Sequence, residues 1–119
     1  MPNRGNKIEQ AIVKFLGIRS HLNSGAMKEK MDASSREMVM EIKSTQAKSY
    51  KTNRDLLQKI YYSATRRGKI PVLLIAWDDG DNYINIEDMS VVVPAKDFFQ
   101  LLNNEATTHI YPEEGRINV

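Results

Sequence analysis

Asp32 and the run Glu41-Ile42-Lys43 contain the residue types that bind a divalent cation and cleave a phosphate ester. Glu41 and Lys43 lie in an apolar run, residues 38–43, that predicts a β-strand. Side chains two positions apart on a strand share a face, about 7 Å apart. With Asp32 brought close by a turn, the group would offer two hard oxygen ligands and a lysine to orient water or contact a phosphate. Taken alone, a Glu-x-Lys pair on a strand is more often a solvated ion pair.

Hydrophobic periodicity and turn residues divide the rest of the chain into short helices and strands that must position this group. In chain order, the predicted elements are a helix from Lys7 to Leu16, an edge strand over 18–22, a turn over 33–36, a strand from Glu37 to Ser44, a helix from about 54 to 68, a strand from Ile70 to Trp77, a return strand from Tyr83 to Ile86, a short strand from Ser90 to Val93 and a helix from Pro94 to Leu102. Residues 103–119 have weak periodicity, and we expect a tail that packs on a partner subunit or is disordered.

Local signals refine these elements. Asn6 with Glu9, and Thr52 with Asp55, have capping-box spacing at the starts of the first two helices, and Gly17 is a typical helix end. The wholly apolar run Ile70–Trp77 is typical of a strand buried on both faces, and a helical crossover before it implies parallel pairing. The order of elements predicts a single α/β domain over 1–119, with a core of about 5–102 and a central mixed sheet flanked by helices in three layers.

Composition excludes several classes of protein. The chain has no cysteine, so disulfides and thiolate metal sites are excluded, and a reducing compartment is compatible. Its longest apolar run is too short to span a bilayer, and the N-terminus leads into no signal-peptide apolar region. We therefore expect a cytoplasmic protein.

Positive charge is concentrated in the first part of the chain. Residues 1–69 contain 15 Lys and Arg against 6 Asp and Glu, whereas residues 70–119 contain 2 against 9. This asymmetry favours a polyanionic partner, and nucleic acid in particular. The residues that we expect to contact backbone phosphates are Lys28, Lys30, Lys48, Lys51, Arg54, Arg66 and Arg67.

The other candidate sites in the sequence have less support. His21 and His109 are isolated, and neither a catalytic triad nor a glycine-rich phosphate loop has motif support. The acidic run 78–82 is better explained as a hairpin turn than as a calcium loop, because its glycine falls at the wrong offset for an EF-hand. Tyr61 and Trp77 fall on stripes expected to be core, which leaves Tyr62 as an exposed aromatic residue.

The ordered set of motifs resembles a known family. A glutamate in the first helix, Ser-Gly in the next loop, an aspartate, Glu-x-Lys on a strand, a helix and a hydrophobic strand are similar to the PD-(D/E)xK nuclease superfamily. Within it, the chain resembles the archaeal-type Holliday junction resolvases and their phage relatives over about residues 5–102. Met31 stands where the motif name puts a proline, and the interval from Asp32 to Glu41 is shorter than in the archaeal enzymes.

The resemblance implies a restriction-endonuclease-like fold and roles for particular residues. Asp32 and Glu41, with the Ile42 carbonyl, would bind Mg²⁺ or Mn²⁺, and Lys43 would be the catalytic lysine. Glu9 would be the first-helix acid near the metal, although its position also fits an ordinary residue of the first helical turn. Ser24 would lie in the loop near the scissile phosphate.

The resemblance further implies a homodimer that cleaves four-way DNA junctions by paired phosphodiester hydrolysis in recombination and repair. The compact chain fits a phage protein that acts in the host cytoplasm. Two alternatives stay open. One is a nuclease of the same superfamily acting on other DNA as a restriction, nicking or repair enzyme, and the other is a DNA-binding module of this fold without catalysis.

Overall fold

The computed structural model describes residues 3–20, 33–104 and 115–119, and of Arg19, Ser20, Asn103 and Asn104 only the backbone. Its helices are α1 (Arg4–Leu16), α2 (Arg54–Thr65) and α3 (Ala95–Asn104), with a short 3₁₀ helix at Ile86–Asp88. Its strands are β1 (Arg19–Ser20), β2 (Ala33–Ser34), β3 (Met38–Thr45), β4 (Ile70–Trp77), β5 (Tyr83–Asn85), β6 (Met89–Val92) and β7 (Arg116–Asn118).

Five strands form one mixed sheet in the order β1-β2-β3-β4-β6. β2 is antiparallel to β1 and β3, β3 is parallel to β4, and β6 is antiparallel to β4. The predicted parallel pairing of the two long strands is confirmed, with Glu41 in register with Leu73 and Lys43 with Ile75. A parallel pair needs a long crossover, and α2 supplies it.

The sheet lies between two helices because β3 and β4 are apolar on both faces. On one face, Ile8 and Ile12 of α1 pack in one core cluster with Met40 and Ile42. On the other face, Ile60 and Ala64 of α2 pack in a second cluster that includes Val39, Leu73 and Ile75. The prediction of a three-layered α/β fold with a central mixed sheet is therefore confirmed.

The predicted N-caps of the first two helices were wrong by one or more residues, whereas the predicted end of α1 is confirmed. α1 begins at Arg4, because Asn3 is its N-cap and accepts a hydrogen bond from the Asn6 backbone N–H at 2.8 Å. At α2, Asn53 rather than Thr52 is the N-cap. Gly17 ends α1 in the left-handed conformation, with φ of 67°, which glycine adopts without steric cost.

Two expectations about the strands were also wrong. Ala33 and Ser34 form β2 instead of a turn, and the turn is made by the next residues, where Ser35 Oγ accepts from the Met38 backbone N–H. Tyr83–Asn85 does not return to the main sheet, because it pairs with β7 in a separate two-stranded sheet. After the 3₁₀ helix redirects the chain, β6 is the strand that pairs with β4.

The end of the chain belongs to the core, contrary to the expectation of a tail. Ile117 on β7 is buried in the cluster that contains Ile84 and α1, so residues 116–118 do not form a separate tail. Residues 105–114 lie outside the described part of the structure. Tyr61 was expected in the core and is exposed, while Tyr62 is exposed as predicted. Within the described ranges, no helix is long and apolar enough to cross a membrane.

Candidate active site

Glu41 and Lys43 project from the same face of β3, the face covered by α2. Strand alternation puts Met40 and Ile42 on the opposite face, against α1, as the sequence predicted. The Lys43 Nζ lies 4.0 Å from Glu41 Oε1. Glu41 is only 6% exposed, whereas the Lys43 side chain is 42% exposed. The pair is therefore a buried carboxylate with an ammonium group reaching from it toward solvent.

The burial of Glu41 separates this pair from an ordinary surface ion pair. A solvated pair has both ends in water, and glutamate is among the residue types least often buried. Taking a carboxylate out of water costs free energy that neighbouring groups must offset. Charged groups placed at such a cost are characteristic of functional sites, although structural ion pairs also occur in this way.

β2 runs beside β3 at the level of Val39 and Met40, the two residues before Glu41. Ala33, the residue that follows Asp32 in the sequence, pairs with Met40, the residue that precedes Glu41. Asp32 itself lies outside the described residues, as do three other predicted site residues, Ser24, Lys28 and Lys30.

Glu9 and the Ile42 side chain are placed on the other side of the sheet from the Glu41 carboxylate. Glu9 is a partly buried residue of α1, and α1 covers the face that carries Met40. The Ile42 side chain is fully buried on that same face, and its backbone is in register with Leu74 of β4. The roles of the Glu9 carboxylate and of the Ile42 carbonyl in metal binding stay predictions.

The predicted DNA-contact residues that the structure describes fall into two groups at opposite ends of α2. Lys48 and Lys51 are exposed in the connection after β3, and Arg54 is the exposed first residue of α2. All three lie at the C-terminal end of β3, the end nearer to Lys43. Arg66 and Arg67 follow the last turn of α2, about 18 Å away along the helix. The Arg66 guanidinium lies 5.5 Å from the centre of the Tyr62 ring. The first group is the one near the Glu41–Lys43 pair.

A network that the sequence analysis missed lies at this same end of the sheet. Asp78 follows β4, and its side chain accepts hydrogen bonds from Arg4 Nε at 2.6 Å and Arg4 Nη2 at 2.7 Å. Gln46 Nε2 donates to Asp78 Oδ2 at 3.3 Å, and the Gly80 backbone N–H donates to Oδ1 at 2.8 Å. Arg4 also donates to the Asp81 carbonyl.

The network has an electrostatic signature. The hydrogen bonds from Arg4 lower the pKa of Asp78 to about 2, with smaller contributions from Gly80 and Gln46, against the opposing effect of burial. It ties the first turn of α1 to the ends of β3 and β4. The sequence signal for it was Arg4 itself, because a cation in the first turn is unfavourable with the helix dipole unless it has a partner.

The described residues include two carboxylates of the predicted metal site, Glu41 and Glu9, which lie on opposite sides of the sheet. Among residues 3–20, 33–104 and 115–119, no three Asp, Glu, His or Cys side chains form a group that could hold a metal ion. Glu41 is the donor whose chemistry suits Mg²⁺, a cation that prefers one or two carboxylates and retains several waters.

A scan of the chain against models of protein families found no match, and a search among curated proteins found no similar sequence.

Proposed function

We propose that this protein is a metal-dependent DNA endonuclease of the kind that its resemblance to PD-(D/E)xK nucleases implies. The observation that carries the proposal is the Glu41–Lys43 pair. Its carboxylate is buried, its ammonium is partly exposed, and both lie on one face of a strand in the middle of a mixed sheet. That arrangement holds an oxygen ligand rigidly and leaves a cation available to a substrate.

Asp32 completes the proposed site. The register of β2 with β3 supports this role, because the paired residues Ala33 and Met40 are the sequence neighbours of Asp32 and Glu41. Two carboxylates match the ligand number and the oxygen chemistry that Mg²⁺ accepts. When bound, the metal would lower the pKa of a coordinated water and neutralise charge on the phosphate.

The protein residues have distinct roles in this proposal. Glu41 is held by its burial, so that its carboxylate does not need to reorient when substrate binds. Lys43 extends past it and donates from its ammonium group to the attacking water or to a phosphate oxygen, which balances the negative charge that develops during attack. Lys43 is therefore expected to affect turnover more than binding.

The substrate proposal rests on charge and on the resemblance. Lys48, Lys51 and Arg54 are exposed near the same end of the sheet, where they would contact backbone phosphates without reading sequence. The resemblance to Holliday junction resolvases makes a four-way junction the proposed substrate. Paired nicks on such a junction require two sites, so the proposed functional unit is a homodimer.

The experiment compares a labelled synthetic four-way junction with a matched linear duplex, each with Mg²⁺ or with EDTA. Wild-type protein is tested beside Asp32→Asn, Glu41→Gln and Glu37→Gln. Glu37→Gln is the matched control, because Glu37 is an exposed glutamate just before β3 and its replacement by glutamine removes the same charge. We expect paired nicks at the junction that disappear with EDTA and in the first two variants and persist in the control.

The other outcomes identify the alternatives. Equal cutting of the linear duplex would indicate a nuclease of broader substrate range. Binding without cleavage, in the presence of Mg²⁺ or Mn²⁺, would indicate a DNA-binding module. Full activity of Glu41→Gln would show that the proposed site is wrong.

A further inference from the structure

A groove between α2 and the end of β6 holds an apolar cavity of about 230 Å³. One wall is a stripe of α2 that includes Arg54, Leu57 and Tyr61, residues that recur at helical spacing. The opposite wall is the end of β6, with Val92 and Val93, and side chains of β4 line the space between the two walls. Most of the lining side chains are aliphatic, so the cavity suits an apolar group.

Tyr61 lines both this cavity and a second, polar one of about 310 Å³, which lies between the end of α2 and the first turns of α3. Lys69 and Lys96 line the polar cavity with Asp97, so it carries two cations against one anion. The Lys69 ammonium donates to the Ser35 carbonyl at 2.7 Å. The Lys96 ammonium donates to the Tyr61 hydroxyl at 3.2 Å, which places a cation at the boundary between the two cavities.

We propose that the two cavities together bind an acidic, extended segment of a partner protein, with an apolar side chain in the first cavity and a carboxylate against Lys96. This binding goes beyond the proposed nuclease function and does not depend on it. Arg54 would contact a second carboxylate when DNA does not occupy it. Arg54 and Tyr61 lie about 10 Å apart along α2, a distance that about three extended residues span. An apolar residue with acidic residues on both sides therefore fits the groove.

The lining favours an apolar side chain over a nucleobase as the occupant of the first cavity. The edges of a base carry several hydrogen-bond donors and acceptors, and each costs free energy when it is buried without a partner. Arg54, Gln58 and Tyr61 are the polar side chains of the lining, and the Tyr61 hydroxyl already accepts a hydrogen bond from Lys96. An aliphatic or aromatic side chain leaves no polar group unpaired there and gains from the removal of its surface from water.

The test is the binding of a fluorescein-labelled peptide, Ser-Asp-Asp-Phe-Asp-Asp-Ser, measured by fluorescence anisotropy. One matched peptide has serine in place of phenylalanine, and another has asparagine in place of every aspartate. We expect saturable binding of the first peptide that weakens with added salt. The serine peptide should bind at least about tenfold more weakly, through loss of the buried apolar side chain. The asparagine peptide should lose up to about fivefold for each ion pair.

Variants of the protein test the two cavities, and each has a matched control. Tyr61→Ala removes a wall that both cavities share and should weaken peptide binding at least about tenfold. Tyr62→Ala should leave binding unchanged, because Tyr62 is 61% exposed and lines neither cavity. Lys96→Gln should weaken binding by up to about fivefold, and Lys59→Gln, at an exposed position of α2 outside both linings, should not. Tyr61 and Lys96 are exposed, so their replacement is compatible with folding.

Several results would overturn the proposal. These are an absence of saturation by the phenylalanine peptide below about 1 mM, equal binding of the phenylalanine and serine peptides, and equal affinities of Tyr61→Ala and Tyr62→Ala. Tyr61-dependent binding of a single-stranded oligothymidylate in place of the peptide would overturn it in favour of a nucleobase, and Tyr61-dependent self-association in favour of a second copy. Tyr61→Ala should cleave the four-way junction as the wild type does, so this proposal and the nuclease proposal can fail separately.

Discussion

Replacing Asp78 by asparagine tests the network that joins α1 to the ends of β3 and β4. Asparagine keeps the shape of the side chain but lacks the negative charge of the carboxylate, which accepts two hydrogen bonds from Arg4. Asp78 has a pKa of about 2 in the folded protein, against an ordinary value of 3.8. A difference of this size corresponds to about 2.5 kcal/mol of stability at neutral pH.

The expected loss is smaller than this figure, because solvent screens the pair. The Arg4 side chain is 35% exposed, so we expect Asp78→Asn to lower the free energy of unfolding by about 1–2 kcal/mol. For a domain of this length, that corresponds to a decrease in Tm of roughly 4–8 °C. Thermal unfolding followed by circular dichroism at pH 7 measures it. Asp79→Asn is the matched control, since Asp79 is exposed and adjacent.

The pH dependence has a defined sign. A carboxyl group whose pKa is lowered by folding contributes its full stability above the unfolded-state pKa, near 4, and loses it as pH falls toward about 2. The difference between wild type and Asp78→Asn should therefore be constant from pH 7 to about 5 and shrink between about pH 4 and pH 2. A Tm equal to that of Asp79→Asn at pH 7, or a difference that does not shrink in acid, would refute the reasoning.

Three further results are expected from the fold and from the basic residues near the candidate site. Ile117→Ala should lower the free energy of unfolding in urea by about 2–4 kcal/mol, because it leaves a cavity where β7 meets the core; an unchanged midpoint would contradict the burial of β7. Asn53→Ala should cost about 1 kcal/mol through loss of the α2 N-cap, whereas Thr52→Ala should cost little; equal effects would contradict the cap assignment. Replacing Lys48, Lys51 and Arg54 together by glutamine should reduce the slope of log K against log salt for duplex DNA binding by up to about 2.7. An unchanged slope would show that these three residues do not contact DNA phosphates.

The sequence by itself determined the elements whose signals are local. The alternation over residues 38–43 set which side chains of β3 share a face, and Gly17 marked the end of α1. The apolar run of β4 indicated burial on both faces, and the intervening helix implied parallel pairing. These features follow from strand period, helix period and backbone conformation, which depend on residues close together in the chain.

Only the tertiary structure decided the features that join distant parts of the chain. Arg4 and Asp78 are 74 positions apart, and β5 pairs with β7 across the segment that contains β6 and α3. The burial of Glu41 depends on what packs around β3, which alternation alone does not specify. The exposed apolar face of α3 has the sequence pattern of a helix packed against a core, and only its position shows that this face meets solvent. Periodicity shows that a face is apolar, whereas the surface that covers it is set by packing between segments whose local sequences carry no information about each other.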